Sequence, residues 1–269
     1  MDGLVLDTIE SGPCTREQAF ARHLIPESTD TYQAVSNEQL LLMLNDCARE
    51  HGLTLTGEEL GLDLKGQRMF GTYEVEGKDF FGGRSKLMMG FCNSGNKTLR
   101  IRVCFGGKVF VCSNLCFSHW TDEDTGMGGE AAHRHTSNVK DGLWQRLTQA
   151  LSTVDAFRAS QDKFYSQLAD TRLGRKDAND FILRAALSGV INPKRAFDTA
   201  KEYHSQPIEP ENKADAVNWH PEFRRRNAFN LLNAFTEVEK ARLEKNPVAS
   251  NIGTLGLTNL FYREFIHQN

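Results

Sequence analysis

Between residues 53 and 119 apolar and polar residues alternate along the chain, as is typical of strands that bury one face. We predict strands at 68–75, 85–92, 97–105 and 108–112, and one strand or a pair over 53–64. A polar turn at 93–96 and the pair Gly106-Gly107 connect the last three strands. Because glycine tolerates positive φ, we expect Gly106-Gly107 to form a two-residue hairpin loop. The pattern therefore predicts an antiparallel meander.

After residue 139 apolar residues recur at intervals of three and four, which indicates helices. We predict helices over 141–173, 177–189, 193–203 and 221–245, and a short one near 257–261. An earlier helix is expected to begin at Ser36, because Ser36 and Gln39 have the spacing of a capping box. Gly52 is a natural residue to end it. Residues 1–35 have no regular pattern.

These elements predict an α+β fold, in which an antiparallel sheet of about four to six strands packs against C-terminal helices. We expect an N-terminal arm and first helix at 1–52, a sheet region with a polar loop at 53–138, and a helical region at 139–269 that packs on the sheet. The polar, glycine-rich stretch 121–138 is the expected loop. All three parts are expected to belong to one compact domain.

Charge is distributed unevenly along the 269 residues, whose formal net charge is −3. Residues 1–64 carry three basic and twelve acidic side chains, whereas residues 65–120 carry nine basic and three acidic ones. Such asymmetry indicates either an anionic partner or attraction between the two segments. A run of about 18 apolar residues and a signal-peptide pattern are both missing, so we expect a cytoplasmic protein with reduced cysteines and no membrane partner.

Strand geometry gathers basic residues on one face of the predicted sheet, because successive side chains point to opposite faces. Phe70 and Met88 would lie among them as exposed apolar groups, a combination that suits single-stranded nucleic acid. The acids of this segment are few, so we expect the basic side chains to lack neutralising partners. The alternative is that the C-terminal helices or the acidic N-terminal arm cover this face. The predicted nucleic-acid-binding residues are Arg68, Arg84, Lys86, Arg100, Arg102 and Lys108.

Cysteines and histidines of the zinc-binding type follow the predicted sheet: Cys112, Cys116, His119, His133 and His135. They lack the paired short spacings of structural zinc sites, so we expect buried free thiols and neither a metal nor another cofactor. Cys112 with His135 as its base would suit a thiol enzyme, but nothing in the sequence orients the pair. We therefore assign no catalytic residue.

Three segments resemble a family of phage and plasmid-like proteins that is described as a domain of unknown function. They are KVFVCSNLCFS at 108–118, HRHT at 133–136 and NLLNAFTE at 230–237, and the likeness extends from Tyr32 to the end of the chain. The resemblance implies a phage or mobile-element origin and a bacterial host cytoplasm, without implying a reaction. We expect the polar motif residues to form a buried network that braces the sheet against the helices. The motif residues are Cys112, Asn114, His135, Thr136, Asn233 and Glu237.

The function expected from these features is that of a non-enzymatic phage or mobile-element accessory protein that binds nucleic acid, in single-stranded form, during replication or recombination. Single-strand annealing proteins, with a basic sheet flanked by helices, are an analogy at the level of the fold. Two alternatives stay open: an inhibitor that binds a host protein through the acidic N-terminal arm, and a thiol or metal-dependent enzyme. The sequence leaves the oligomeric state open.

Overall fold

A computed structural model describes residues 11–21, 25–63, 65–96, 100–109, 114–117, 130–133, 138–206, 226–245 and 247–266. The strands are β1 Ser11–Cys14, β2 Leu55–Asp63, β3 Arg68–Val75, β4 Ser85–Ser94, β5 Ile101–Val109, β6 Asn114–Phe117, β7 Glu130–His133, β8 Arg172–Leu173 and β9 Arg226–Asn227. The helices are α1 Arg16–Ala21, α2 Asn37–Glu50, α3 Val139–Ser152, α4 Val154–Asp170, α5 Arg175–Leu187, α6 Ala196–Ser205, α7 Ala228–Lys245 and α8 Pro247–Phe265, with a 3₁₀ turn at Pro193–Arg195 before α6.

The main sheet is antiparallel, and within the described ranges it contains seven strands. Strands β1 to β6 follow one another in chain order, and β7 pairs with β5 on the edge that β6 also uses. Strands β8 and β9 form a separate two-stranded sheet. Because the large helices follow the sheet in the chain, the predicted α+β class is confirmed. Across the part of the chain that the structure describes, no helix is long and apolar enough to cross a membrane.

The core lies between one face of this sheet, the inner face, and the helices. On β5 the expected alternation is present: Ile101 and Val103 are buried, whereas Arg102 between them is exposed. Helix α7 contacts the sheet at both β1 and β6, and its Leu231 and Phe235 belong to the core. Since β1 and β6 stand at opposite ends of the strand order, α7 links the whole width of the sheet to the helical layer.

The prediction of a hairpin loop at Gly106-Gly107 is wrong. Both glycines lie inside β5 and pair with β4. A Cβ atom at Gly107 would lie 2.7 Å from Cζ of Phe80 and 2.9 Å from Oη of Tyr165. Glycine is therefore required at 107 because a ring and a helix approach the strand closely, a second common reason for glycine in strands.

The start and end of α2 are confirmed. The Ser36 hydroxyl accepts a hydrogen bond from the Gln39 amide at 3.0 Å, and the Gln39 side chain accepts one from the Ser36 amide at 3.1 Å. Gly52 follows the helix with φ +67°, a conformation that glycine adopts without strain.

Other boundaries differ from the predicted ones. The helix expected at 141–173 is divided at Thr153, where the backbone N–H and the hydroxyl both donate to the carbonyl of Ala150 and end α3. Strand β7 lies inside the expected polar loop, and β1 and α1 lie in the stretch expected to be irregular. Helix α8 is much longer than the short helix predicted near its end.

Candidate nucleic-acid interface

The outer face of the sheet is the face opposite the core, and three arginines lie together at one end of the sheet. Arg102 on β5 lies opposite Cys92 on β4, and Cys92 lies opposite Phe70 on β3. Arg68 precedes Phe70 by two residues, so Arg68 and Arg102 share one face and one end of the sheet. Arg100 immediately precedes β5 at the same end. Two strand spacings, about 10 Å, separate β3 from β5. We call Arg68, Arg100 and Arg102 the basic corner.

The basic corner is accessible from solvent. Arg100 and Arg102 are exposed, and Arg68 is half-buried. Arg100 has no carboxylate partner among the described residues. The buried Asp63 lies beside the corner, where its Oδ1 accepts hydrogen bonds from the backbone amides of Gln67 at 2.7 Å and Arg68 at 3.2 Å. This carboxylate therefore holds the turn between β2 and β3.

Lys86 and Lys108 lie at the other end of the outer face, directly opposite each other on β4 and β5. Six residues along β4 separate Lys86 from Cys92, or about 20 Å. Contrary to our expectation, Lys86 is neutralised: its Nζ lies 2.6 Å from Oε2 of Glu74 on β3. The hydrogen bond to Glu74 raises the pKa of Lys86. The predicted basic face is thus divided, and its Lys86 end is paired.

Arg84 lies in the turn of the β3–β4 hairpin, directly before β4 and two residues before Lys86. Its guanidinium carbon is 5.2 Å from the ring centroid of Phe81, and that ring packs into the core at 4.7 Å from Phe229 and 5.8 Å from Tyr165. Phe81 has a φ of 54°, which is rare for an aromatic residue. The Asp162 carboxylate holds this backbone by accepting the Phe81 amide at 2.6 Å. The guanidinium group of Arg84 is therefore held over the ring of Phe81 within the hairpin turn.

The expected stacking groups are not accessible. Phe70 is 7% exposed and Met88 is 1% exposed, although both stand on the outer face. Gly90 and Gly106, which flank Met88 on the same face, are buried as well. The middle of the outer face is therefore buried around Met88. Neither Phe70 nor Met88 offers a surface to a nucleic-acid base.

The motif residues of the resemblance are described only in part. Cys112, His135 and Thr136 lie outside the described residues. Asn114 is the first residue of β6, and helix α7 contacts this strand. Helix α7 carries the buried Asn233 and the half-buried Glu237. The buried polar network between them stays a prediction. Among the described residues no group of three or more His, Cys, Asp or Glu side chains could hold a metal ion.

A polar cluster that the sequence does not reveal joins α1 to the sheet and α2. Nε of Arg16 donates to Glu58 Oε1 at 2.7 Å and its Nη2 to Oε2 at 2.6 Å, while the Tyr73 hydroxyl donates to the same carboxylate. Asn45 Nδ2 donates to the Tyr73 hydroxyl at 3.3 Å. Sequence separations of up to 57 residues explain why no spacing pattern indicates this cluster.

The pKa shifts in this cluster favour a structural role. Burial raises the pKa of Tyr73, and its hydrogen bond to Glu58 raises it further, to about 12. Burial alone would raise the pKa of Glu58, but the hydrogen bonds from Arg16 and Tyr73 outweigh it and leave that pKa lowered. The carboxylate is therefore ionised and the phenol protonated at neutral pH, an arrangement suited to holding α1 rather than to transferring protons.

A second unpredicted network fixes the basic corner's end of the sheet. The buried Asn93 of β4 donates through Nδ2 to the carbonyl of Val35 at 2.9 Å and to Oδ1 of Asn37 at 3.0 Å. Asn37 in turn donates to the carbonyl of Ala19 at 3.0 Å. Buried amides need partners, so this network attaches α1 and the start of α2 to the sheet.

A family model described as a domain of unknown function (DUF932) matches residues 27–247. The chain belongs to this family. The DUF932 match covers β2 to β9 and α2 to α7, and therefore includes the basic corner, whereas β1, α1 and nearly all of α8 lie outside it. No curated protein matches the chain, and no solved structure matches it.

Proposed function

We propose that this DUF932 protein is a non-enzymatic accessory protein that binds single-stranded nucleic acid through the basic corner. One observation carries the proposal: Arg100 and Arg102 are exposed together at one end of the sheet, and Arg68 lies two strands away at the same end. A single strand follows such a surface because each cation that approaches a phosphate releases a condensed counterion. The resemblance to phage and plasmid-like proteins supports replication or recombination of mobile DNA as the setting.

The buried stacking groups change the expected mode of binding. Because Phe70 and Met88 are inaccessible, the contact we propose is made to phosphates, and it carries little base preference. Lys86 is expected to contribute little to phosphate binding, since Glu74 already neutralises it. We therefore expect modest affinity, steep salt dependence and tolerance of sequence.

The test is a fluorescence-anisotropy titration of a labelled single-stranded oligonucleotide at several salt concentrations. The unmodified chain is expected to bind at low salt, with a slope of about −0.7 in log K against log salt for each phosphate contact. Replacing Arg100 and Arg102 together by Ala should weaken binding by about tenfold or more and reduce the slope by about 1–1.4. Exposed arginines usually contribute little stability, so the fold is expected to persist.

The matched control replaces Lys194 and Lys201 by Ala, which removes the same charge from exposed positions in the helical region. This control should bind as the unmodified chain does. Equal losses in both double variants would mean that net charge alone determines binding. No binding at low salt, or binding that is untouched in the arginine variant, would overturn the proposal and favour a host protein as the partner.

A further inference from the structure

Exposed apolar side chains gather at one end of the helical hairpin that α5 and α6 form. Among the described residues five large hydrophobic side chains are exposed, and three of them lie between positions 183 and 197. Leu183 is 56% exposed, Leu187 79% and Phe197 76%. Single exposed apolar residues are ordinary on a protein surface, whereas a contiguous group indicates a contact site. How α5 and α6 pack decides whether these three side chains form one group.

The two helices are antiparallel neighbours, and their contact shows which side of each helix faces the other. Nε2 of His204, near the end of α6, lies 3.1 Å from Oδ1 of Asn179, near the start of α5. Leu183 and Leu187 follow Asn179 at intervals of four residues, so they lie along the same side of α5. Phe197 precedes His204 by seven residues, or about two turns, so it lies on the same side of α6. All three exposed side chains therefore flank the groove between α5 and α6.

The same exposed face carries one acid and one base. Asp180 precedes Leu183 by three residues on α5, and it is exposed. Lys201 follows Phe197 by four residues on α6, and it is exposed as well. Each charge thus lies one turn farther from the connection between the helices than its apolar neighbour. Asp180 is 3.7 Å from Lys176 on its own helix, a contact between exposed groups that contributes little.

This arrangement is self-complementary. A two-fold axis along the groove places α5 of one copy over α6 of the other and keeps the connected ends of both hairpins together. Leu183 and Leu187 then pack against Phe197 of the second copy. Asp180 faces Lys201 of the second copy, and both pairings occur twice because the contact is isologous. The four helices together have the antiparallel arrangement of a four-helix bundle.

We propose that this chain forms a homodimer through the α5–α6 face. A second copy fits the face because the face supplies both members of its charge pair, whereas a partner of uniform charge would leave either Asp180 or Lys201 facing a like charge. Standard interfaces use about 20–30 residues on each side, so this small contact gives a weak dimer that depends on chain concentration. The face lies outside the sheet that carries the basic corner, so the inference does not rest on the proposed function.

The test is sedimentation equilibrium of the full chain between about 5 and 500 µM, a range suited to weak association. We expect the weight-average mass to rise from that of one chain toward that of two. Leu187→Gln should raise the Kd of the dimer by about tenfold or more, because an apolar contact is lost twice. Leu42→Gln is the matched control, since Leu42 is 57% exposed on α2, and it should leave the Kd within about twofold. Circular dichroism of both variants should match that of the unmodified chain.

Charge reversal tests the second copy as the partner. Asp180→Lys and Lys201→Asp should each raise the Kd by about 3- to 10-fold, because each change brings like charges together at two places. Both changes in one chain restore opposite charges across the two-fold axis. The double variant should therefore dimerise with a Kd within about threefold of that of the unmodified chain.

Three results would overturn the proposal. A chain that stays monomeric at the highest concentration would mean that the exposed face serves a partner of another kind. A dimer that Leu187→Gln leaves unchanged, or that Leu42→Gln weakens equally, would be held together by another surface. A double charge variant that dimerises no better than either single one would contradict the pairing of α5 with α6 of the second copy.

Discussion

Replacing Gly107 by Ala tests the close approach that the structure shows at β5. The new Cβ atom would lie 2.7 Å from Cζ of Phe80 and 2.9 Å from Oη of Tyr165, whereas carbon atoms pack best at about 3.5–4.0 Å. Both side chains must therefore retreat by several tenths of an ångström. Phe80 is 3% exposed and Tyr165 1% exposed, so neither can swing into solvent. We expect a loss of about 1–3 kcal/mol, the usual cost of one extra methyl group in a packed core.

The assay is urea denaturation of the full chain, followed by circular dichroism and tryptophan fluorescence. Gly256→Ala is the matched control, since a Cβ there would meet only the Val190 methyl groups at an ordinary 3.9 Å. Because Gly256 lies within α8, this control should stabilise the helix by about 0.5–1 kcal/mol. The same chemical change is thus expected to have opposite signs at the two positions.

A double-mutant cycle with Phe80→Leu identifies the cause. Removing the ring removes the closest contact, so Gly107→Ala should cost about 1 kcal/mol less in the Phe80→Leu background. A glycine in a hairpin loop would lose stability through backbone strain, which Phe80 does not affect. Equal costs in the two backgrounds, or stabilisation by Gly107→Ala alone, would refute the packing explanation.

Two further predictions concern the polar clusters. Glu58→Gln should lower the free energy of unfolding by about 1–2 kcal/mol at neutral pH. Because the pKa of Glu58 is lowered in the folded state, this difference should vanish as the pH falls through that pKa. Urea midpoints of the two chains that differ equally at neutral pH and at about pH 3 would contradict this prediction. Asn93→Ala should cost about 1–3 kcal/mol, since the carbonyl of Val35 and Oδ1 of Asn37 lose their shared donor, and faster amide exchange in α2 should accompany the loss; unchanged exchange would argue against the network.

The basic corner shows how far alternation can predict a site. That Arg100 and Arg102 would share the non-core face follows from the period of two, and the structure places Arg102 there and leaves both exposed. Alternation does not state how far apart residues of one face are. The strand register separates Lys86 from the basic corner. The neighbouring strand β3 brings Oε2 of Glu74 to within 2.6 Å of Nζ of Lys86.

The sequence by itself determined the kinds of element and several of their limits. The α+β class, β3 at Arg68–Val75 and the capping box of α2 follow from side-chain periodicity and local hydrogen bonding, which act over a few residues. Only the tertiary structure decided where elements meet. The role of Gly107 and the Arg16–Glu58–Tyr73 cluster both depend on contacts between residues far apart in the chain. No local pattern encodes such contacts, because packing selects them from the whole fold.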